Sequence, residues 1–441
     1  MKFDLDKKFD LTITVPESKS VGHRALIVNF LIDLAQDRVS NNVKYPISAN
    51  IDDSQDIIAT KDCINNLAEL SVKAKEEKPQ EVVLPCKESG STLRFFIPVA
   101  IEVLRYLDLL GTTNIRFKTA GRLFDRPTND VEECLGGHGI EIIHEEDSRD
   151  IIVKYDESKD SHEDEYAIDG TASSQNISGL IMALPLNDTS KKVTVLNNLN
   201  SATYVMLTLD VLKKHDVGVN YDGDMTFEIE ASSYKNGNPA ELRDGDWSSG
   251  AFFLCMKELA DSLNEGKNLD IQGLTMDSYQ GDKAIVDFIE KFKKAQKESQ
   301  KEFSYDCKTI PDIVPYMAVW AALFDNGNMT GFKTTFENVG RLKIKESDRI
   351  QAIIEILDAI EAKSDFDGEN LTVYTSDIKI IDQMRREGRV ISLSSHNDHR
   401  MAMTDFLLAL GTKMVVDIDN IECMTKSCAL LPEIMTKNFA I

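Results

Sequence analysis

Two kinds of hydrophobic pattern follow one another along the whole chain. Residues 11–15 and 225–230 alternate apolar and polar side chains, which is typical of half-buried β-strands. Residues 25–35 are mostly apolar with one polar stripe, and the apolar residues between 350 and 360 recur at the helical period. Because strand and helix patterns are interleaved, we expect an α/β (α+β) protein.

The most strongly charged stretches are residues 73–81, 145–165 and 291–301. Dense charge of this kind is typical of solvated segments. We therefore predict that these stretches form loops and exposed helix faces.

A small polar cluster opens an apolar helical segment at six places. The spacing between neighbouring clusters is 63 to 87 residues, which predicts six copies of one mixed α/β unit. Serine and aspartate are also common N-cap residues, so the spacing alone leaves open that these are six unrelated helix starts. The six positions are marked by Ser20, Ser91, Ser174, Ser249, Asp312 and His399.

Composition and charge narrow the classes of function. The chain has 441 residues, enough for two or three domains, and a formal net charge of −24. That charge argues against nucleic acid or an anionic membrane surface as a partner, but not against a small anionic ligand. Seven scattered cysteines, a charged N-terminus and no apolar run longer than residues 316–324 predict a soluble cytoplasmic protein with reduced thiols.

Cations accompany several of the predicted helix starts. The N-terminus of a helix attracts anions, and residues 341–349 alone contain four lysines and arginines. The chain contains neither the glycine motif of a P-loop nor that of a dinucleotide-binding site. We therefore expect neither P-loop phosphoryl chemistry nor a bound dinucleotide. His396 and His399 have no evident further ligands, so we expect no metal and no cofactor.

These motifs together resemble the 5-enolpyruvylshikimate-3-phosphate (EPSP) synthase family, the 3-phosphoshikimate 1-carboxyvinyltransferases. They occur in the family's order from residue 16 to 427, and the segments around Lys345 and His399 are the most specific. The matching segments are residues 18–24, 89–94, 126–127, 173–175, 245–249, 280–282, 310–312, 345–349 and 397–403, and Lys426.

The resemblance implies a fold of two domains. Each would contain three βαβαββ units with inner helices and outer sheets, and the active site would lie in the interdomain cleft. Domain one, the phosphoenolpyruvate side, would comprise residues 1–16 and 246–441. Domain two, the shikimate 3-phosphate side, would comprise residues 17–245.

The resemblance also implies a reaction and a set of site residues. The enolpyruvyl group of phosphoenolpyruvate would pass to the 5-hydroxyl of shikimate 3-phosphate by addition and elimination, releasing phosphate. Asp312 would be the hydroxyl base and Glu346 the proton shuttle, with Lys19 and His399 as further candidates for proton transfer. The shikimate 3-phosphate ligands would be Lys19, Ser20, Arg24, Ser173, Ser174, Gln175, Ser201, Tyr204, Asp312 and Lys345. The phosphoenolpyruvate ligands would be Lys19, Gly90, Arg126, Gln175, Arg349, His399, Arg400 and Lys426.

The chain departs from the family pattern at a few positions near these motifs. None of the departures removes a charged catalytic position, so we expect activity, inhibition by glyphosate next to Gly90, and a monomer. The departures are Glu17, His23, Glu88, Arg341 and the pair Cys428-Ala429.

Two other functions remain to be weighed. One is the sister carboxyvinyl transferase that acts on UDP-N-acetylglucosamine, whose motifs are not matched. The other is a binding module that has kept the fold and lost turnover. Phosphate release from phosphoenolpyruvate with either acceptor separates the three.

Overall fold

The chain divides into two compact units. The structure, a computed structural model, describes residues 1–40, 54–75, 78–242, 244–263, 265–324, 329–428 and 430–441. Unit 1 contains Met1–Glu17 and Asp244–Ile441, and unit 2 contains Ser18–Arg243. Glu17 and Gly245, which the sequence boundaries placed in the other domain, belong to unit 1 and pair there as an isolated β-bridge.

Helices and strands alternate along the described residues. The strands are β1 (Lys2–Phe3), β2 (Phe9–Thr14), β3 (Glu81–Lys87), β4 (Asn114–Thr119), β5 (His138–Glu145), β6 (Asp150–Asp160), β7 (Glu165–Asp169), β8 (Lys191–Leu196), β9 (Val219–Tyr221), β10 (Thr226–Ile229), β11 (Lys267–Gln272), β12 (Glu302–Asp306), β13 (Lys333–Glu337), β14 (Ser364–Phe366), β15 (Leu371–Tyr374), β16 (Ile391–Leu393) and β17 (Val416–Ile418). The helices are α1 (Lys19–Ala35), α2 (Gln55–Lys73), α3 (Gly90–Tyr106), α4 (Asn129–Gly136), α5 (Ser174–Ala183), α6 (Ala202–Lys214), α7 (Trp247–Leu263), α8 (Ala284–Lys297), α9 (Val314–Leu323), α10 (Arg349–Asp358), α11 (Ile378–Arg386), α12 (His399–Thr412) and α13 (Leu431–Phe439).

Three four-stranded sheets share one topology. Their strand orders are β3-β4-β6-β5, β7-β8-β10-β9 and β12-β13-β15-β14. In each sheet the first pair is parallel and the other two pairs are antiparallel. One helix follows each of the first two strands, so the βαβαββ unit expected from the resemblance occurs twice in unit 2 and once in unit 1 within the described residues.

The two ends of the chain meet in unit 1. Strand β1 pairs with β17 antiparallel, and β2 pairs with β11 in parallel. The N-terminal ammonium of Met1 donates to the carboxylate of Asp417 at 3.0 Å and to the carbonyl of Ile418 at 2.6 Å. Strands β1 and β2 precede unit 2 in the chain. They are therefore built into sheets whose other strands come from the second half of the chain.

The six predicted helix starts are all present. Helices α1, α3, α5 and α12 are capped by Ser18, Ser89, Ser173 and Asp398, whose side chains accept first-turn amide protons. Helix α7 begins at Trp247, and α9 follows a single 3₁₀ turn at Pro311–Ile313. Capping is a local property of the sequence, which is why these positions could be predicted.

The prediction that residues 145–165 are solvated loop or helix face is wrong. Strand β6 runs through this stretch, and Ile151, Ile152 and Val153 are buried. Three consecutive apolar residues carry a central strand that pairs with β4 on one side and β5 on the other. The charged residues on either side of this short apolar run concealed it.

Each unit has its own apolar core. All seven cysteines are buried and free, as expected for reduced thiols. Trp247 and Trp320, the two tryptophans of the chain, are both in the core of unit 1. In the part of the chain that the structure describes, no helix combines the length and hydrophobicity that crossing a membrane requires.

Asp405 is a buried carboxyl group in the core of unit 1. It lies on α12, is 0% exposed, and neither of its side-chain oxygens has a hydrogen-bond partner among the described residues. Burial raises the pKa of Asp405 well above its usual range, and the charge of Asp419 adds to the rise. Because an uncompensated carboxylate is costly in an apolar core, burial favours the protonated form of this side chain.

Replacing Asp405 with Asn should stabilise unit 1 at neutral pH. An unfolded aspartate has a pKa of about 3.9, and the folded pKa is higher. The contribution of Asp405 to stability is therefore complete below pH ~4 and is lost as the pH rises through the folded pKa. We expect Asp405→Asn to raise the free energy of unfolding by about 1–3 kcal/mol at pH 7.5 and to change it little near pH 4. Urea unfolding followed by tryptophan fluorescence reports on unit 1 alone, since both tryptophans lie there.

Asp419→Asn is a control whose effect on stability at pH 7.5 should have the opposite sign. Partial burial would raise the pKa of Asp419, but hydrogen bonds from Ser395, Ser394 and Asn420 together outweigh it and lower the pKa to about 2. Its stabilising contribution is present above about pH 3.9 and is lost as the pH falls toward 2, so this variant should be less stable than the native protein at pH 7.5. An effect of Asp405→Asn that is equal at pH 4 and pH 7.5 would contradict the assignment of a raised pKa.

Candidate active site

Three helices of unit 2 begin at predicted ligand residues. The side chains of Ser18, Ser89 and Ser173 each satisfy one first-turn amide of α1, α3 and α5. Other first-turn amides have no acceptor within the helix, so these ends favour bound anions. The predicted ligands that follow the three caps directly are Lys19 and Ser20, Gly90, and Ser174 and Gln175.

Two guanidinium groups approach the same glycine at the start of α3. A Cβ atom on Gly90 would lie 2.5 Å from Nη1 of Arg126 and 3.1 Å from Nη1 of Arg94. The Nε atoms of both arginines are buried without a hydrogen-bond partner among the described residues. Burial, together with the charge of Arg126, lowers the pKa of Arg94 to about 10. Two like charges held this close are stabilised by an anion between them.

Gln175, at the start of α5, connects that helix to two side chains of α3. Its Oε1 accepts a proton from Nη1 of Arg94 at 3.2 Å, and its Nε2 donates to the hydroxyl of Ser91 at 2.8 Å. The structure thus brings together Gly90, Arg126 and Gln175, three of the predicted phosphoenolpyruvate ligands. Arg94, which was part of a motif but not of the predicted ligand set, is a fourth member of this cluster.

A second cluster surrounds the first two turns of α1. The Lys19 ammonium forms an ion pair with Asp56 of α2 at 2.7 Å. The Arg24 guanidinium is buried, and burial lowers its pKa to about 10. It donates to the hydroxyls of Thr208 and Ser178 and to the carbonyls of Ser20 and Tyr204. Lys19, Ser20, Arg24 and Tyr204 therefore lie together, and Asp56, Ser178 and Thr208 are supporting residues that the sequence did not reveal.

Ser201 lies at the start of α6 in a left-handed conformation. Its φ of 56° is uncommon for a residue with a side chain. Its carbonyl accepts the amide proton of Tyr204 at 3.0 Å, so the serine caps the helix through its backbone.

In unit 1, three cations surround Asp312. Its carboxylate lies 3.0 Å from Nη1 of Arg349, 3.5 Å from Nζ of Lys345 and 3.6 Å from Nη2 of Arg400. Burial opposes ionisation, but the charges of Lys345, Arg400 and Arg349 outweigh it and hold the pKa of Asp312 well below its usual range. The ionised form of Asp312 is therefore favoured, and it becomes a stronger proton acceptor when bound anions offset these cations.

Glu346 and His399 form a second pair in unit 1. The carboxylate of Glu346 lies 3.1 Å from Nδ1 of His399 and 3.9 Å from Nζ of Lys426. Burial would raise the pKa of Glu346, but His399 and the nearby cations hold it well below its usual range. This arrangement can pass a proton between a carboxylate and an imidazole.

Asp398 supports this cluster although the sequence indicated only a helix cap. Its buried carboxylate accepts from Nε and Nη2 of Arg349 at 2.8 and 3.2 Å and from the hydroxyl of Ser347 at 3.0 Å. It also accepts the amide proton of Arg400, which caps α12. One carboxylate thus holds Arg349 in place and sets the start of the helix that carries His399 and Arg400.

Asp282 is a further carboxylate near Asp312 that the sequence did not assign. Burial, followed by the negative charge of Asp312, raises the pKa of Asp282 to about 6. The hydroxyl of Ser248 donates to it. The charge of Arg400, one of the cations around Asp312, lowers the pKa of Asp282 in opposition to burial and Asp312, so the two carboxyl groups share that cation.

Glu346, Asp398 and His399 also have the geometry of a metal-ligand set. One ligand atom from each lies within 4.8 Å of the other two. The Asp398 carboxylate is already bound by Arg349, and Lys426 lies close to Glu346. The nearby cations disfavour a divalent ion here, so these residues are better suited to proton transfer and anion binding.

The departures from the family pattern are accommodated locally. The Glu88 carboxylate lies against Gly121, where a Cβ atom would be 2.9 Å from it and where φ is +57°. Arg341 donates to the carbonyl of Lys308 at 2.5 Å. Cys428 is buried, and its neighbour at position 429 lies outside the described residues.

Comparison with known proteins gives one consistent result. The family profile of EPSP synthase (3-phosphoshikimate 1-carboxyvinyltransferase) matches residues 5–435. A 3-phosphoshikimate 1-carboxyvinyltransferase of Brachyspira hyodysenteriae is 31% identical over 94% of this chain and 93% of its own, and one of Clostridium beijerinckii is 30% identical over 94% and 92%. An EPSP synthase structure from Acinetobacter baumannii is similar with a TM-score of 0.63, at 15% identity over 99% of this chain and 97% of that one, which supports the fold.

The expected two-domain enolpyruvyl transferase fold is confirmed by this structural similarity. The repeated βαβαββ units agree with it. With a family match over nearly the full chain, the protein belongs to the EPSP synthase family of transferases.

Proposed function

We propose that this protein transfers the enolpyruvyl group of phosphoenolpyruvate to the 5-hydroxyl of shikimate 3-phosphate and releases phosphate. The observation that carries the proposal is the pair of ionised carboxylates in unit 1, Asp312 and Glu346, each among cations. The reaction needs one group that accepts a proton, one that delivers a proton, and positive charge for two anionic substrates. Family membership supplies the substrates.

The reaction includes two kinds of proton transfer, and we give one to each of the two carboxylates. The 5-hydroxyl oxygen attacks C2 of phosphoenolpyruvate, its proton passes to Asp312, and C3 receives a proton to give a tetrahedral ketal. Elimination then returns a proton from C3 to Glu346 and breaks the bond from C2 to the phosphate oxygen, and the departing phosphate takes up the proton held by Asp312. Glu346 serves C3, and its neighbour His399 at 3.1 Å exchanges protons with it.

Substrate binding prepares Glu346 for this role. In the free protein the surrounding cations hold its pKa well below the usual range. The negative charges of phosphoenolpyruvate offset those cations, so the pKa of Glu346 rises when the substrate binds. The side chain can then carry a proton for C3.

We assign the binding residues according to the clusters described above. In unit 2, the group around α1, α5 and α6 binds shikimate 3-phosphate and the arginine pair beside Gly90 binds phosphoenolpyruvate. In unit 1, Asp312 and Lys345 serve shikimate 3-phosphate, while the remaining cations serve phosphoenolpyruvate. The shikimate 3-phosphate set is Lys19, Ser20, Arg24, Ser173, Ser174, Gln175, Ser201, Tyr204, Asp312 and Lys345. The phosphoenolpyruvate set is Lys19, Gly90, Arg126, Gln175, Arg349, His399, Arg400 and Lys426, and we add Arg94 to it because its guanidinium lies beside Gly90.

The purified protein should release phosphate from phosphoenolpyruvate only when shikimate 3-phosphate is the acceptor. Both the family match and the names of the relatives favour this acceptor over UDP-N-acetylglucosamine. A coupled phosphate assay with each acceptor measures it. Release with UDP-N-acetylglucosamine alone would support the sister activity, and release with neither acceptor would support a binding module without turnover.

Asp312→Asn should lower kcat by about 10²–10⁴-fold, because an amide cannot accept the hydroxyl proton. The KM for phosphoenolpyruvate should stay the same or fall, since removing one negative charge leaves Arg349 and Arg400 more attractive to an anion. Steady-state kinetics measure both constants.

Asp147→Asn is the matched control for Asp312→Asn. Asp147 is exposed between β5 and β6, so the variant makes the same change of net charge on the surface of unit 2. Its kcat should equal that of the native protein. A near-native kcat in Asp312→Asn would exclude Asp312 as the base.

Gly90→Ala should raise the KM for phosphoenolpyruvate by about tenfold, because the new methyl group displaces Arg126. The structure tolerates the change, since the nearest atom is the far end of a flexible side chain at 2.5 Å. Inhibition by glyphosate should weaken as well. Gly136→Ala is the control, because its Cβ meets no atom within 4 Å. Unchanged kinetics and inhibition in Gly90→Ala would contradict the placement of the anion beside this glycine.

A further inference from the structure

A buried hydrogen-bond chain links α1, α2 and α3 in unit 2. Nδ1 of His23 lies 2.7 Å from Oγ1 of Thr60, which lies 2.8 Å from Oγ1 of Thr92. Oγ1 of Thr92 lies 2.7 Å from the hydroxyl of Ser89. All four side chains belong to residues that are at most 1% exposed. The chain therefore ends at the serine that caps α3, directly before Gly90.

The direction of each hydrogen bond in this chain follows from the number of protons available. Thr92 donates its only hydroxyl proton to the carbonyl of Asp56 at 3.3 Å, because a carbonyl can only accept. Ser89 and Thr60 must then both donate to Thr92. With its own proton used, Thr60 accepts from His23, so His23 carries its proton on Nδ1.

The surroundings of His23 agree with this assignment. Its Nε2 atom is buried and has no hydrogen-bond partner among the described residues, as suits a nitrogen that bears only a lone pair. Burial is the main cause that lowers the pKa of His23 to about 3, so the imidazole is neutral. A neutral imidazole with its proton on Nδ1 is the one form that completes the chain.

The hydrogen-bond chain from His23 to Ser89 contacts two groups that the proposed function uses. At one end, Ser89 accepts the amide proton of Thr92 at 3.2 Å and so fixes the first turn of α3 beside the two arginines. Within the hydrogen-bond chain, Thr92 also bonds to the backbone carbonyl of Asp56, whose carboxylate pairs with Lys19. A change at His23 therefore reaches the phosphoenolpyruvate cluster without touching it.

We propose that His23 is a positioning residue for phosphoenolpyruvate: its Nδ1–H holds Thr60, Thr92 and Ser89 in the one arrangement that caps α3 and presents Gly90 to the substrate. This inference rests on the proposed function, because it takes the anion at Gly90 to be phosphoenolpyruvate. An asparagine amide at this position could donate in the same place.

A purely structural role for His23 would depend on the shape of its side chain and not on its proton. The ring packs edge-on against Phe95 with centroids 6.2 Å apart, and packing of this kind needs the shape of the side chain but not its proton. Asparagine and leucine have the same branched skeleton, and only asparagine can donate. The variants His23→Asn and His23→Leu therefore separate the proton from the packing.

Kinetics of the two variants test the proposal. His23→Leu should raise the KM for phosphoenolpyruvate by about five- to tenfold, the effect expected for one lost hydrogen bond, and leave the KM for shikimate 3-phosphate within about twofold. His23→Asn should restore most of the loss. Equal KM values for phosphoenolpyruvate in the two variants, or a rise in both substrates' KM values together, would overturn the positioning role.

Amide hydrogen exchange tests the same role without turnover. The Thr92 amide should exchange faster in His23→Leu than in the native protein, and His23→Asn should slow it again, because only the leucine variant loses the donor that holds Thr60, and through it Thr92 and Ser89, in place. If the native protein releases no phosphate, the proposed function fails and exchange alone decides: equal exchange in both variants overturns the positioning role.

Thr60→Val and Thr60→Ser provide a second pair in case His23→Leu does not fold. Valine removes the hydroxyl that relays the bond and keeps the branched shape, while serine keeps the hydroxyl. The valine variant should show the same selective rise in the KM for phosphoenolpyruvate and the same faster exchange at Thr92. A valine variant that matches the serine variant in both measurements would refute the chain.

Discussion

The candidate site of unit 1 depends on the ion pairs of one buried side chain, the guanidinium of Arg349. It is 2% exposed, and a buried charge is tolerated only when it is compensated. Asp312 and Asp398 provide that compensation from two different parts of the chain. Because Asp398 also caps α12 and Asp312 precedes α9, one side chain ties together the starts of α9, α10 and α12. The residues expected to act on substrates therefore stand on a shared electrostatic support.

The cations of the candidate site in unit 2 are in the opposite situation to Arg349. There the cations beside Gly90 are not matched by carboxylates in the same way, and Arg94 and Arg126 each leave a buried Nε atom without a partner among the described residues. A bound anion would complete that cluster. The net charge of −24 gives no hint of this, because the charge sum over the chain does not describe the field at one glycine.

Features that depend on neighbouring residues could be predicted from the sequence. The caps of α1, α3, α5 and α12 and the alternation in β10 are local, so the helix starts and the strand were found at or near their observed positions. The resemblance supplied the two-domain fold and the membership of the site.

Partnerships between distant segments could not be predicted in this way. Asp56 lies 37 residues from Lys19, and Thr208 lies 184 residues from Arg24. Only the packing of the helices makes them neighbours, so neither appears in any local pattern. Asp398 was visible in the sequence, but its bond to Arg349 required the fold.

The path of the chain through unit 1 has a consequence for the order of its assembly. Strands β1 and β2 are made first, yet their partners are β17 and β11. During synthesis these strands must wait until residues 267–272 and 416–418 have emerged, while all of unit 2 is already complete. Non-local pairing of this kind is slow to form, so unit 2 can fold on the ribosome while the first residues of unit 1 remain unpaired.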